Sequence, residues 1–140
     1  MKSFESCILK KHPECSPDKW FMMTILPYFC GHNDNCLDLN NKWALREAKR
    51  NIEKSFAVIG VLEHMNTTLE VLQKKLPSYF RGAKNLYLKK INSFHINQNN
   101  RKQNVSEKVK QYLRANLNND YELYYYCIQR LYSQFKRIIN

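Results

Sequence analysis

The sequence predicts an α/β chain, mostly helical, with one buried strand from Phe56 to Val61. Apolar residues recur at three- and four-residue steps over long stretches, the period of a helix packed on one side. Phe56-Ala57-Val58-Ile59-Gly60-Val61 is apolar throughout and lacks the alternation of a half-exposed strand, so it reads as buried on both faces of a parallel sheet. Helical patterns flank it on either side, giving a helix–strand–helix order. One strand makes no sheet, so its neighbours are expected from sequence preceding Met1 or from another chain.

Taken in order, Ser3 to Leu9 suits a short helix with Phe4, Cys7 and Ile8 inward. Ser16-Pro17-Asp18 is a helix start, with a capping hydroxyl, proline at the first position and an acid near the positive end of the dipole. That helix runs through Trp20, Phe21, Met23 and Thr24 and stops before Pro27. Residues 27–36 then read as a tight loop. Asn41 to Lys54 is amphipathic, with Trp43, Ala44, Ala48 and Ile52 inward. Beyond the strand, Thr67 and Glu70 have capping-box spacing and open a helix through Leu69, Leu72 and Leu76 that closes before Pro77. Residues 89–104 are polar, basic and rich in Asn and Gln, which reads as a loop. Ser106 caps a further helix. Asn118-Asn119-Asp120 starts the last, whose residues Tyr121, Tyr124, Ile128, Leu131, Phe135 and Ile138 form one apolar seam running to about Ile138.

With 140 residues the chain can build one hydrophobic core, and 44% apolar residues is ordinary for a globular domain. No apolar run approaches the roughly 18 residues of a membrane span. The first residues make a poor signal peptide, because Lys10 and Lys11 interrupt where its apolar core should be. The formal charge of +11 points to a polyanionic partner: nucleic acid, sulfated polysaccharide or an anionic membrane.

Cys7 and Cys15 are close in sequence, as are Cys30 and Cys36, and Cys127 stands apart on the last helix. Two local pairs and a singleton suggest two small disulfide loops and one buried thiol. The alternatives are a zinc site built from Cys15, Cys30, His32 and Cys36, or free thiols. The zinc set lacks the knuckles two to four residues apart that structural sites favour. Disulfides imply an oxidising compartment. The glycosylation triplets at Asn66 (Asn66-Thr67-Thr68) and Asn104 (Asn104-Val105-Ser106) fit such a compartment, although Asn66 serves equally well as a cap.

The string Leu26-Pro27-Tyr28-Phe29-Cys30-Gly31-His32, followed by Cys36, resembles the heparan sulfate and dermatan/chondroitin sulfate uronyl 2-O-sulfotransferase family. The resemblance continues through Trp43-Ala44, Ala48-Lys49, Phe56, Gly60-Val61-Leu62-Glu63, Leu76-Pro77-Ser78-Tyr79-Phe80-Arg81-Gly82-Ala83 and Leu86-Tyr87. It covers roughly residues 4 to 137, and the basic loop matches least well.

The resemblance implies a Golgi membrane protein of type II topology, acting on the lumenal side, with its anchor outside this chain. It implies the C-terminal, mostly helical part of a P-loop-like sulfotransferase fold, with residues 1–140 forming part of a single sulfotransferase domain whose N-terminal part is absent. It implies transfer of a sulfuryl group from 3′-phosphoadenosine 5′-phosphosulfate to the 2-hydroxyl of a uronic acid, without a metal. The expected partner is a sulfated glycosaminoglycan (heparan or dermatan/chondroitin sulfate), with a homotrimer possible in the complete protein and no nucleic acid bound. The family pairs the cysteines as Cys7–Cys15 and Cys30–Cys36.

Its phosphosulfate loop and catalytic histidine lie upstream of the matched region. None of His12, His32, His64 and His95 takes the catalytic place, so the chain is expected to be inactive alone. Carried over residue by residue, the nucleotide-closing loop maps to Tyr87 and Ser93, with Gln98 in place of a threonine and Arg101 in place of a lysine. A tyrosine can pack on adenosine, and hydroxyl, amide and guanidinium groups can donate to a phosphate. Lys89, Lys90 and Lys102 are expected to help hold the polymer on charge grounds. The alternative reading is a non-catalytic, basic polyanion-binding module of a secretory protein.

Overall fold

The structure is a computed structural model, and it describes residues 3–17, 19–20, 24–90 and 104–139. The chain divides into two compact units, residues 1–54 with 101–124, and residues 55–100 with 125–140.

In the first unit, α1 (Phe4–Leu9) begins where the Ser3 hydroxyl accepts the Ser6 N–H at 3.1 Å. Cys7 and Ile8 turn inward, while Phe4 stays exposed. Ile8, Trp20 and Val109 form a core cluster against which Cys15, Leu39, Val105, Leu113 and Leu117 pack. Trp20 meets Tyr112 edge to face, with centroids 6.0 Å apart. The helix expected after Ser16 falls largely outside the described residues; Pro17, Lys19 and Trp20 lie in a 3-10 turn.

Pro27 lies in the first turn of a helix, α2 (Leu26–Cys30). Proline lacks the N–H that a first-turn residue would leave unused, so it suits that position. A 3-10 turn follows at Asp34–Cys36. The tight loop expected over 27–36 is therefore mostly helical.

Helix α3 (Lys42–Ser55) is capped by Asn41, whose side-chain oxygen accepts the N–H groups of Trp43 and Ala44. Ala44, Leu45, Ala48 and Ile52 are buried; Trp43, expected inward, is 38% exposed, and Leu45 takes its place in the core. The helix start is tied to the junction of α7 (Glu107–Asn116) and α8 (Asn118–Ile139) by asparagines. Asn40 donates to Asn116 O at 2.9 Å and accepts from Asn119 N at 3.1 Å, and Asn119 donates to Asn41 O at 2.9 Å. Asn40 holds φ at 59°, a left-handed conformation that asparagine tolerates better than most residues.

Asp120, in the first turn of α8, accepts the N–H of Ile25 at 2.7 Å and of Leu26 at 3.1 Å. Burial pushes its carboxyl above the ordinary 3.8 and outweighs the opposing hydrogen bonds from Leu26 and Ile25. The folded form thus binds this proton more tightly than the unfolded chain, so acidification relieves a cost present at neutral pH. Asp120→Ala should destabilise by about 1–3 kcal/mol through the two orphaned N–H groups. Asp120→Asn keeps an acceptor and should cost less. The stability of wild type relative to Asp120→Asn should rise as pH falls through the folded-state value and level off below 3.8. Denaturant titrations at several pH values measure this, and a difference independent of pH would refute it.

In the second unit, a 3-10 turn at Leu62–His64 leads into α4 (Met65–Lys75), then α5 (Pro77–Phe80) and α6 (Ala83–Lys90), with residues 125–139 of α8 completing it. The expected strand over Phe56–Val61 is not formed; among the described residues there is none. The first two carbonyls of this segment are taken by α8 side chains. Arg130 donates to Phe56 O at 2.7 Å and Gln134 to Ala57 O at 2.8 Å. Phe56 and Ala57 are exposed, and only Val61 is buried. Apolar composition marks a segment that prefers burial, but a strand also needs a hydrogen-bonded neighbour.

The expected capping box is likewise replaced. Helix α4 starts two residues before Thr67, with His64 as its cap residue, and Glu70 pairs with Lys84 instead of reaching back. Its buried residues are Thr68 and Val71, with Leu69, Leu72 and Leu76 only partly covered. On α8 the fully buried row is Leu123, Cys127 and Leu131. Of the expected seam only Leu131 is fully buried, Tyr121 being exposed and Tyr124, Ile128, Phe135 and Ile138 half-buried.

Candidate functional site

Cys7–Cys15 and Cys30–Cys36 are disulfide-bonded, with Cα atoms 5.8 and 5.7 Å apart. Oxidised sulfur cannot serve as a thiolate ligand, so the zinc alternative built on Cys15, Cys30, His32 and Cys36 is overturned. Cys127 is a buried free thiol. Burial pushes its pKa up, against the smaller opposing pull of the Arg130 charge.

The second disulfide closes a loop that is also held from outside. The Asn51 amide donates to the carbonyls of Phe29 and Cys30, each at 3.0 Å. Gly31 at the end of α2 has φ 114°, a conformation that residues with a Cβ rarely adopt. This loop lines a cleft of 380 Å³ through Pro27, Tyr28, Gly31, His32, Asn33 and Leu37. His32 is exposed on it.

The site that bears on the nucleotide reading lies in the second unit. Tyr87, half-buried on α6, lines a cleft of 320 Å³ with Leu62, Glu63, His64, Met65, Asn66 and Thr67. Helix α6 is placed by Lys84, whose N–H donates to Gln73 Oε1 at 2.7 Å and whose ammonium pairs with Glu70. The opposite wall is fixed by Thr68. Its hydroxyl accepts the Val61 N–H at 3.0 Å and donates to Val61 O at 3.1 Å, holding the 62–64 turn onto α4. His64 Nδ1 is hydrogen-bonded to Tyr132 Oη at 3.0 Å, and the rings meet edge to face with centroids 5.3 Å apart.

Of the four residues expected to contact the nucleotide, Tyr87 is placed at this cleft. Ser93, Gln98 and Arg101 lie outside the described residues, as do His95 and Lys102. Lys89 and Lys90 are exposed in the last turn of α6. His64 joins Tyr87 on the cleft wall, a neighbour that no sequence spacing announces. Tyr87 thus presents a half-buried phenol ring at this cleft, beside the start of α4.

A basic, helical chain with two short disulfide loops and a tyrosine-lined cleft is the class of protein these features define. Its relatives are more particular. The chain is 43% identical over 110 residues to the Drosophila melanogaster protein described as uronyl 2-sulfotransferase homolog pip, a match covering 77% of this chain and 21% of that protein. It is 33% identical over 130 residues to uronyl 2-sulfotransferase of Mus musculus, covering 90% of this chain and 31% of the relative. It is 35% identical over 86 residues to heparan sulfate 2-O-sulfotransferase 1 of Gallus gallus, covering 61% and 24%. No family model matches the chain. Over its matched part the chain is a homologue of the uronyl and heparan sulfate 2-O-sulfotransferases. It spans about a fifth to a third of the length of these relatives.

Proposed function

We propose that this chain is part of a glycosaminoglycan uronyl 2-O-sulfotransferase of the Golgi lumen, corresponding to the C-terminal part of its sulfotransferase domain. The sulfuryl group of 3′-phosphoadenosine 5′-phosphosulfate passes to the 2-hydroxyl of a uronic acid in heparan or dermatan/chondroitin sulfate. The hydroxyl oxygen attacks sulfur, the sulfur–oxygen bond to the phosphate breaks, and a base takes the hydroxyl proton. The phosphosulfate loop and that base come from sequence outside this chain, and the charge of +11 suits the sulfated polymer. The observation that carries the reading is the 43% identity over 110 residues to a uronyl 2-sulfotransferase homologue.

This chain contributes the closing side of the nucleotide site. Tyr87 packs on the adenosine from its cleft, and Ser93, Gln98 and Arg101 donate to a phosphate. A guanidinium–phosphate bond contributes about 1.5–3 kcal/mol. Arg101→Ala should therefore weaken nucleotide binding roughly ten- to a hundredfold. Calorimetric titration of the complete enzyme with 3′-phosphoadenosine 5′-phosphate, wild type against Arg101→Ala and Tyr87→Ala, tests it. Unchanged affinity in both variants would remove the site assignment, and sulfate transfer by these 140 residues alone would overturn the division of labour.

A further inference from the structure

Two Asn-X-Ser/Thr triplets occur in the chain, and their surroundings differ. Asn66-Thr67-Thr68 lies in the first turns of α4. Thr68 is buried, with its hydroxyl engaged by both the N–H and the carbonyl of Val61. Asn66 and Thr67 also line the Tyr87 cleft, where a glycan would compete with any other occupant.

Asn104-Val105-Ser106 is non-helical and leads into α7. Ser106 is extended at φ −62°, ψ 154°, and although it is the cap residue of α7 its side chain makes no capping hydrogen bond. Val105 packs against the Ile8–Trp20–Val109 cluster. Asn104 and Ser106, on either side of it, are both exposed. The middle residue is thus anchored inward, and the amide and the hydroxyl are presented outward, as a surface acceptor requires.

We infer that Asn104 is an N-glycan acceptor and that the Asn66 triplet is committed to the fold. The inference rests on the lumenal reading above for where the chain meets its glycan donor. The donor is an oligosaccharide linked to a polyprenyl diphosphate. The Asn104 amide nitrogen attacks C1 of the first sugar, a nitrogen–carbon bond forms, and the C1–oxygen bond to the diphosphate breaks. An amide proton is lost and the polyprenyl diphosphate leaves.

The test directs the full chain into the secretory pathway of cultured insect cells with a cleavable leader. Gel mobility is compared before and after peptide-N-glycosidase treatment, and heavy-oxygen water marks the converted asparagine for mass spectrometry. One glycan, at Asn104, is expected. Asn104→Gln and Ser106→Ala should abolish the shift, Ser106→Thr should retain it, and Asn66→Gln should leave it unchanged. Absence of a glycan from the wild-type chain, or a glycan on Asn66, overturns the inference. Because the leader supplies the address, the result is independent of nucleotide binding. Failure here leaves the sulfotransferase reading standing, and failure of the nucleotide titration leaves this result standing.

Discussion

Removing both disulfides should cost the first unit about 5 kcal/mol, close to the whole stability of a small domain. Each bridge closes a short loop, Cys7 to Cys15 and Cys30 to Cys36, and restricts the unfolded chain by about 2.5 kcal/mol on the chain-entropy estimate. The bridged sulfurs of Cys7, Cys30 and Cys36 are also buried, so their loss removes packing as well. The pairs Cys7→Ala/Cys15→Ala and Cys30→Ala/Cys36→Ala should each lower the denaturant midpoint, and the combination should leave the unit unfolded in buffer. Thiol titration of the untreated protein in denaturant should count one thiol, Cys127. In the folded protein that thiol should react slowly near neutral pH, because burial holds it in its protonated form. A count above one, or a quadruple variant as stable as wild type, would refute the assignment.

The second large effect is expected from a single methyl group. A Cβ at Gly60 would sit 2.5 Å from Thr68 Cγ2, a distance that forces one of the two to move. Thr68 is a poor candidate to yield, because its hydroxyl bonds both polar backbone groups of Val61. If it stays, the overlap costs about 1–3 kcal/mol. If it swings away, the Val61 N–H loses its partner at a cost of about 1–3 kcal/mol, whereas the carbonyl keeps the His64 N–H. Gly60→Ala should therefore destabilise by about 1–3 kcal/mol, whichever way the overlap is relieved. Thr68→Ala removes the obstructing methyl, so the double variant should be more stable than the two single effects added together. Strict additivity in a double-mutant cycle would show that the two residues do not meet. The clamp also holds one wall of the Tyr87 cleft, so on the proposed nucleotide reading the affinity of the complete enzyme should fall in the same variants.

The features legible in the sequence are those settled by neighbours along the chain. Helix α3 and the start of α8 were readable because periodicity and end residues act within a turn or two. The cysteine spacings limited the sensible pairings, and the motif string from Leu26 to Cys36 pointed to the right relatives. Tertiary structure decided the rest. Phe56 to Val61 has strand-like composition, yet Arg130 and Gln134 take its first carbonyls, and nothing in the local sequence specifies that competition. Trp43 and Leu45 compete for the inner face of α3, and the buried row of α8 is 123–127–131, because neighbouring elements determine which face is covered. His64 reaches the cleft of Tyr87 through the fold of the second unit. Hydrogen bonds within a helix are fixed by spacing along the chain, whereas strand partners, buried faces and cleft walls depend on residues far apart in sequence.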